Sequence, residues 1–262
     1  MSQVRVEDLD EENIDDVFRV CSHNRLDDPL QQRGIEFKRR WLLEMLAEHG
    51  PCTKIAYLGD KPVAQILFYP EEAAPFIQNL RRGVVVLHCA YNPFPEARGK
   101  GVGTALLRSL VDDCGRGLTC LGGVACRFIA AKPFNTGEGI SLNRFYAANG
   151  FEQAEREMFL KVSAPYQPRE ISEYRPLGED RGRAVMLYNP ICEWSYQLAV
   201  RVGEFLKEID AGLPVELIDE WRNPEESIKR GNQWLVVNAK PVRSPWTQRE
   251  ALRHEVEQAL GR

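Results

Sequence analysis

The chain has 262 residues, with 34 basic and 38 acidic side chains, a net charge of -4, 44% hydrophobic and 27% charged residues. This is a soluble globular composition, long enough for one large domain or two modest ones, and it lacks the basic excess that a nucleic-acid binder needs. The longest stretch free of charge, residues 83–95, is too short to cross a membrane, and the acid-rich first twenty residues resemble neither a secretory signal nor a transit peptide, so a cytoplasmic protein with no membrane partner is expected.

In chain order, residues 4–6 read as a short strand, and residues 11–20 as a helix with Ile14, Val17, Phe18 and Cys21 on one face. A second helix over 34–48 carries Ile35, Phe37, Trp41, Leu42, Met45 and Leu46, and His49-Gly50-Pro51 ends it. Its basic cluster Lys38-Arg39-Arg40 is expected on a solvated face. Residues 54–58 and 62–69 are rich in β-formers and flank Gly59-Asp60, which predicts a hairpin.

The run 84–89 shows no polar alternation, the mark of a strand covered on both faces. It is followed by Arg98-Gly99-Lys100-Gly101-Val102-Gly103 and then by residues 104–113, where Leu106, Leu107, Leu110 and Val111 form a helical stripe closed by Gly115. A strand over 125–131, a helix over 141–149 and a strand over 157–162 complete the first half.

Residues 164–183 hold Pro165, Pro168 and Pro176 with few aliphatics, and read as a linker. The expected division is therefore 1–163, a linker 164–183, and 184–262. The last segment reads β-α-β-α-β-β-α, with strands over 184–188, 215–219, 234–237 and 241–243. Its helices cover 195–209, 224–229 and 247–260, and Thr247 with Glu250 suggests a capping box for the last. The seven cysteines include no CxxC pair and the four histidines are scattered, so free thiols and no metal site are expected.

The strongest chemical signal is the glycine-rich segment. Glycines between a strand and a helix let successive amides turn into one concavity at a helix N-terminus, where the dipole favours an anion such as a diphosphate. The segment lacks the Gly-Lys-Ser/Thr of a Walker A loop and the glycine spacing of the Rossmann fingerprint.

Arg98, Gly101 and Gly103 match the Arg/Gln-x-x-Gly-x-Gly/Ala loop of the GNAT superfamily of acyl-CoA N-acyltransferases. Strand, loop, helix and strand follow in the family's order, and residues 144–151, ending in Tyr146-x-x-x-Gly150-Phe151, resemble its late helix. Residues 3–163 are thus similar to a GNAT domain, which implies a mixed, V-shaped sheet flanked by helices. The resemblance implies acetyl-CoA as donor, its diphosphate on the amides of Arg98, Gly99, Lys100, Gly101, Val102, Gly103 and Thr104. Its pantetheine arm would lie along Leu87 and Cys89. A small-molecule amine is the expected acceptor; a protein or peptide amine is the alternative, and a homodimer is allowed.

Tyr146 falls at the tyrosine that protonates the departing thiolate in many members; a phenol, with an ordinary pKa of ~10, keeps its proton at neutral pH. The acceptor amine must also lose a proton. His88 is the leading candidate base because an imidazole titrates near ~6.5, with Glu157 and Cys89 as weaker ones. The family's asparagine is replaced by Gly139, so Asn135 or Asn143 is expected to supply its contact.

The tail resembles a thioredoxin-like fold, and its pairing with an acetyltransferase resembles YoaP-type bacterial proteins. Asn189-Pro190-Ile191-Cys192-Glu193-Trp194-Ser195 stands where such folds carry a redox pair, but here it is CxxS. Cys192 at a helix N-terminus could be a reactive thiol with a lowered pKa, yet without a second cysteine it closes no local disulfide. A thiol- or metal-sensing role for Cys192 is the competing reading, and a domain for packing, dimerisation or substrate selection is the other.

Overall fold

A computed structural model of the chain describes residues 4–134, 140–170 and 173–262. The chain divides into two units. One comprises Met1–Asp27, Arg39–Ala73 and Leu80–Arg169, the other Asp28–Lys38, Ala74–Asn79 and Glu170–Arg262. Two short segments from the first half of the sequence therefore fold with the second unit. Among the described residues no helix is long and apolar enough to cross a membrane.

The first unit is built on seven strands: β1 (Val4–Asp8), β2 (Thr53–Leu58), β3 (Lys61–Pro70), β4 (Val84–Tyr91), β5 (Phe128–Ala131), β6 (Glu152–Gln153) and β7 (Met158–Lys161). They lie in the order β1-β2-β3-β4-β5-β7-β6, antiparallel except for the central pair β4 and β5. This is the expected mixed sheet flanked by helices: α1 (Ile14–Cys21), α2 (Pro29–His49), α3 (Val102–Arg116) and α4 (Leu142–Ala148). α2 starts five residues before the predicted position. Asp28 caps it, its Oδ1 accepting from the amides of Leu30 (2.9 Å) and Gln31 (3.3 Å), and Pro29 occupies the first helical position. α3 runs past Gly115 to a cap at Gly117.

The sheet has two differently covered faces. Ala64, Ile66 and Phe68 of β3 join one apolar core with Leu87 of β4, Val102, Leu106, Leu107 and Leu110 of α3, and Tyr146 of α4. Alternation along a strand sends Gln65, Leu67 and Tyr69 to the other face. There Gln65 meets Cys21 of α1, and Tyr69 meets Trp41 of α2 edge-on.

Two irregularities separate the central strands. The parallel ladder runs from Val84↔Phe128 to Leu87↔Ala131 and ends, whereas β4 continues to Tyr91. At the same level Leu67 pairs with Cys89 while Phe68 pairs with Leu87, so His88 is the additional residue of a β-bulge. Such a bulge bends the strand and increases its twist, turning it away from its neighbour.

Between β3 and β4 a buried ion cluster fixes the connection. Arg81 reaches Glu71 (Nη2 to Oε2, 2.5 Å) and the carboxylate of Glu157, and its Nη1 donates to the Gln167 carbonyl at 2.9 Å. Glu157, a candidate base from the sequence, precedes β7 rather than lying in it. Both its oxygens face Arg81, and Oε1 also accepts from Tyr166 Oη. Held this way it is the buried counter-charge of Arg81.

The second unit contains β8 (Ala184–Tyr188), α5 (Glu193–Ile209), β9 (Val215–Asp219), α6 (Pro224–Lys229), β10 (Leu235–Val237), β11 (Lys240–Pro241) and α7 (Arg249–Leu260), in the predicted order. Its sheet reads β11-β10-β8-β9, with β8 parallel to β9 and antiparallel to β10. Its core joins Ala199, Val202 and Leu206 of α5 to Leu252 and Val256 of α7 across Met186 and Leu235. The proposed capping box does not form: α7 begins at Arg249 after Gln248, with no side-chain cap. Lys38 is buried, not solvated, and its Nζ donates to Glu193 Oε2 at 2.8 Å. Gly34 lets the first turns of α2 approach the start of α5, because a Cβ there would stand 2.0 Å from the Glu193 carbonyl oxygen.

The expected linker is partly built in. Tyr166 stacks on Phe159 with centroids 4.2 Å apart in the first unit. Asp180 is fully buried in the second, between Arg230 (Nη2 to Oδ1, 2.7 Å) and Arg183 (2.9 Å).

Candidate active site

The glycine-rich segment begins where a 3-10 turn, Pro95–Ala97, ends. Gly99 and Gly101 have φ of 71° and 74°, the left-handed region where a Cβ crowds the following carbonyl. No neighbouring atom lies within 4 Å of a Cβ at either position, so backbone conformation is what calls for glycine there. Gly101 caps α3, whose internal ladder begins with the Ala105 amide donating to the Gly101 carbonyl at 2.8 Å. The amides of Val102, Gly103 and Thr104 precede that ladder and point out of the first turn, along the positive end of the helix dipole. Gly103 has a different reason: a Cβ would stand 3.2 Å from the Phe145 ring, so glycine lets α4 close on the start of α3.

A cleft of about 360 Å³ opens beside this loop. One wall is Arg98, Gly99 and Gly101 to Thr104; another is Ala64, Gln65, Ala90, Tyr91 and Asn92; Leu142 and Phe145 of α4 form the side. The cleft thus connects the helix N-terminus to the place where β4 and β5 part. Arg98 is exposed at its mouth, with Nη2 donating to the Pro93 carbonyl at 3.1 Å. Arg98 is also the one charged side chain among the described residues of the wall. Lys100 is exposed and does not line the cleft, and Asn143 is exposed on α4 away from it. Asn135 lies outside the described residues.

Leu87 is fully buried at the last rung of the parallel ladder, and Cys89 is half-buried just beyond it. Tyr146 lies behind the α4 wall, 1% exposed, its ring packed against Phe145 and Phe151. Its hydroxyl is buried with no hydrogen-bond partner, a costly state for a phenol in a core. Burial, with a smaller contribution from Cys89, pushes its pKa well above the usual phenol value. His88 is half-buried in the bulge, its ring 6.2 Å from that of Tyr69. The glycine loop lines the cleft, whereas Tyr146, Cys89 and His88 are not among its lining residues; Cys89 and His88 lie on β4 beyond the last parallel rung, and Tyr146 packs on Phe145 of the cleft wall.

Sequence reasoning missed two residues of the wall. Gln65 is fully buried; its Nε2 donates to Cys21 Sγ, and its Oε1 has no partner. Asn92 likewise buries Oδ1 without a partner. The available signal was a glutamine inside an otherwise apolar run, Pro62-Val63-Ala64-Gln65-Ile66-Leu67-Phe68.

In the second unit Cys192 is the N-cap of α5 and half-buried. Burial and the adjacent Glu193 carboxylate push the thiol's pKa up to about 11, against Lys38 and the amides of Trp194 and Ser195. Ser195, at the position of the absent second cysteine, accepts from the Asn189 amide at 2.9 Å. Among the described residues no group of three His, Cys, Asp or Glu is placed to hold a metal ion.

No family model matches the chain, and no curated protein matches it. Solved structures do. One from Desulfovibrio desulfuricans assigned to the GNAT acetyltransferase family is 18% identical, with 61% of this chain and 99% of that chain covered and a TM-score of 0.43. A GNAT family acetyltransferase from Brucella melitensis in complex with acetyl-CoA is 14% identical, covering 64% and 94%, with a TM-score of 0.41. The PaiA N-acetyltransferase from Thermoplasma acidophilum in complex with coenzyme A is 13% identical, covering 61% and 98%, also at 0.41. At TM-scores below 0.5 these likenesses carry no weight in assigning a function, which rests on the chain's own residues.

Proposed function

We propose that the chain is an N-acyltransferase of the GNAT type, moving an acetyl group directly from acetyl-CoA to the amine of a small molecule. The observation that carries this reading is the cleft that joins the N-terminus of α3 to the parting of β4 and β5. The site fits the donor in three respects. Outward amides at Val102, Gly103 and Thr104 suit a diphosphate. The opening beyond Leu87↔Ala131 gives an extended arm a path along β4. The buried hydroxyl of Tyr146, without a partner and on a ring packed against Phe145 of the cleft wall, supports a proton donor for the thiolate.

Acetyl-CoA, when bound, supplies an activated acyl group. The chain's own residues then hold, orient and move protons. Binding amine and thioester in one cleft removes the entropic cost of their encounter. The amine nitrogen bonds to the acyl carbon as the carbon–sulfur bond breaks, and Tyr146 Oη holds a proton available to the sulfur. His88, on the opposite face of the bulge region, takes the proton that the amine gives up. Glu157 is excluded from that role by its ion cluster.

The second unit we read as a thioredoxin-like module of the YoaP type, spanning 184–262 with a preceding linker. The strand order β11-β10-β8-β9 with one parallel pair supports this. With Cys192 raised in pKa and Ser195 hydrogen-bonded, the module serves packing or substrate selection, not thiol chemistry.

The test is thermal. A ligand that binds the folded state alone stabilises it by about 2.7 kcal/mol at a hundredfold excess over Kd. Acetyl-CoA should raise Tm by several degrees, and no shift at saturating ligand would overturn the donor assignment.

A further inference from the structure

We infer that Lys132 and Arg169 form a binding site for a carboxylate of the acceptor, so that the amine acetylated by this chain belongs to an amino acid. The inference rests on the acetyltransferase reading above and adds to it the acceptor's chemical class and the side chains that select it.

The site starts where the two central strands part. Leu87↔Ala131 is the last rung of the parallel ladder, so His88 and Lys132 are the first residues beyond it on either side. Ile129 and Ala131 pack in the core on the α3 face, whereas Phe128 and Ala130 pack on the other face, with Phe159 and Tyr166. Alternation therefore turns Lys132 to the face away from the glycine loop. His88 is turned the same way, beside Tyr69. A donor seated on the loop side leaves this face to the second substrate.

Arg169 is brought to the same place by the chain that follows β7. Tyr166 stacks on Phe159 and meets Phe128 edge-on, with centroids 5.4 Å apart. The next residue, Gln167, accepts through its carbonyl from Arg81, whose guanidinium lies over the Phe128 ring. Two residues further on, Arg169 carries the charge that acts most strongly on Lys132. Lys132 is exposed and Arg169 half-buried, so a solute can reach both.

The charges around Lys132 set the class of ligand. Glu157 and Glu71 act on it favourably, but both are buried and bound to Arg81. Three cations thus share two carboxylates, and among the described residues neither Lys132 nor Arg169 forms an ion pair or a hydrogen bond. Although the Lys132 side chain reaches solvent, crowding by the protein and then the charge of Arg169 hold its pKa below the ordinary lysine value. An anion placed between the two relieves their repulsion and accepts a charge-assisted hydrogen bond from each. One surplus positive charge matches a carboxylate, not a phosphate dianion. A simple ammonium would meet two like charges on this face, which the carboxylate of an amino acid offsets.

The experiment follows CoA release from acetyl-CoA with the common amino acids and with their carboxamides, on wild type and on Lys132→Met, Lys132→Arg and Arg169→Met. A carboxamide has the more acidic ammonium, so chemistry alone would favour it. The expected result is the reverse: at least one amino acid with kcat/KM about tenfold or more above its carboxamide. For that amino acid, Lys132→Met and Arg169→Met should each raise KM about tenfold. Turnover of the carboxamide and the acetyl-CoA-induced Tm shift should stay as in wild type, and Lys132→Arg, which keeps the charge, should keep most of the affinity. Equal or faster turnover of the carboxamides by wild type, an amino-acid KM unchanged in both Met variants, or a loss that the carboxamide shares overturns the inference. So does the absence of amino-acid turnover in a protein that acetyl-CoA stabilises. A protein that acetyl-CoA does not stabilise fails the donor reading itself, and this inference falls with it.

Discussion

Leu87 of β4 pairs with Ala131 of β5, and this pair is the last rung of the parallel ladder at the centre of the first unit's sheet. β5 stops there, whereas β4 continues through the His88 bulge to Tyr91. The consequence is that the two central strands part at this level, while Ala90 and Tyr91 of the continuing β4 share the cleft wall with the N-terminus of α3.

Tyr146 carries a buried hydroxyl without a partner, on a ring packed against Phe145 of the cleft wall. Replacing it by phenylalanine removes the oxygen and keeps the ring packing with Phe145 and Phe151. Tyr146→Phe should lower kcat by roughly 10²-fold, the low end of what a positioned general acid contributes. Steady-state kinetics should show the KM for acetyl-CoA changed by no more than about twofold, and Tm equal to or above that of the wild type.

Gly101 sits in the left-handed region as the cap of α3. Gly101→Ala meets no steric neighbour, so its cost is the conformation itself, about 1 kcal/mol. Relief of that strain would shift the amides of Val102 and Gly103. Calorimetric titration should therefore show CoA binding weakened by tenfold or more, although Tm falls only by a few degrees.

Asp180 gives the second unit a defined response to acid. Burial alone would raise its pKa, but hydrogen bonds and charge from Arg230 and Arg183 hold it below the ordinary carboxylate value. A carboxylate depressed in the folded state contributes stability above its unfolded pKa and loses it as pH falls through the folded value. Denaturant unfolding should show stability dropping below about pH 5. Asp180→Asn should cost about 3 kcal/mol at pH 7, because Arg230 loses a buried partner, and should flatten the acid limb.

The elements were legible where one periodicity dominates. The non-alternating run at 84–89 marked β4, and Leu106, Leu107 and Leu110 marked α3. The start of α2 was readable from Asp28-Pro29, a cap followed by proline, but its weak apolar stripe drew attention to later residues. The burial of Lys38 was not readable, since its partner Glu193 is 155 residues away. The same distance hid the Arg81 cluster, where Glu157 looked like a base because its cation is 76 residues off. Within the site, the loop was visible as glycine spacing and Tyr146 as part of a motif. Gln65 was hidden because one polar residue in a buried strand carries no signal until the strand's two faces are known. At Cys192 the sequence shows the helix N-terminus but not the burial and the Glu193 carboxylate that push its pKa up.

The most direct measurement is the amine-dependent appearance of free CoA thiol from acetyl-CoA, with the acetylated amine identified by mass. The account predicts one thiol released per amine acetylated, with turnover strongly reduced in Tyr146→Phe. Tight binding of acetyl-CoA with no thiol release across primary amines and peptide amines, or equal release in Tyr146→Phe, would contradict it.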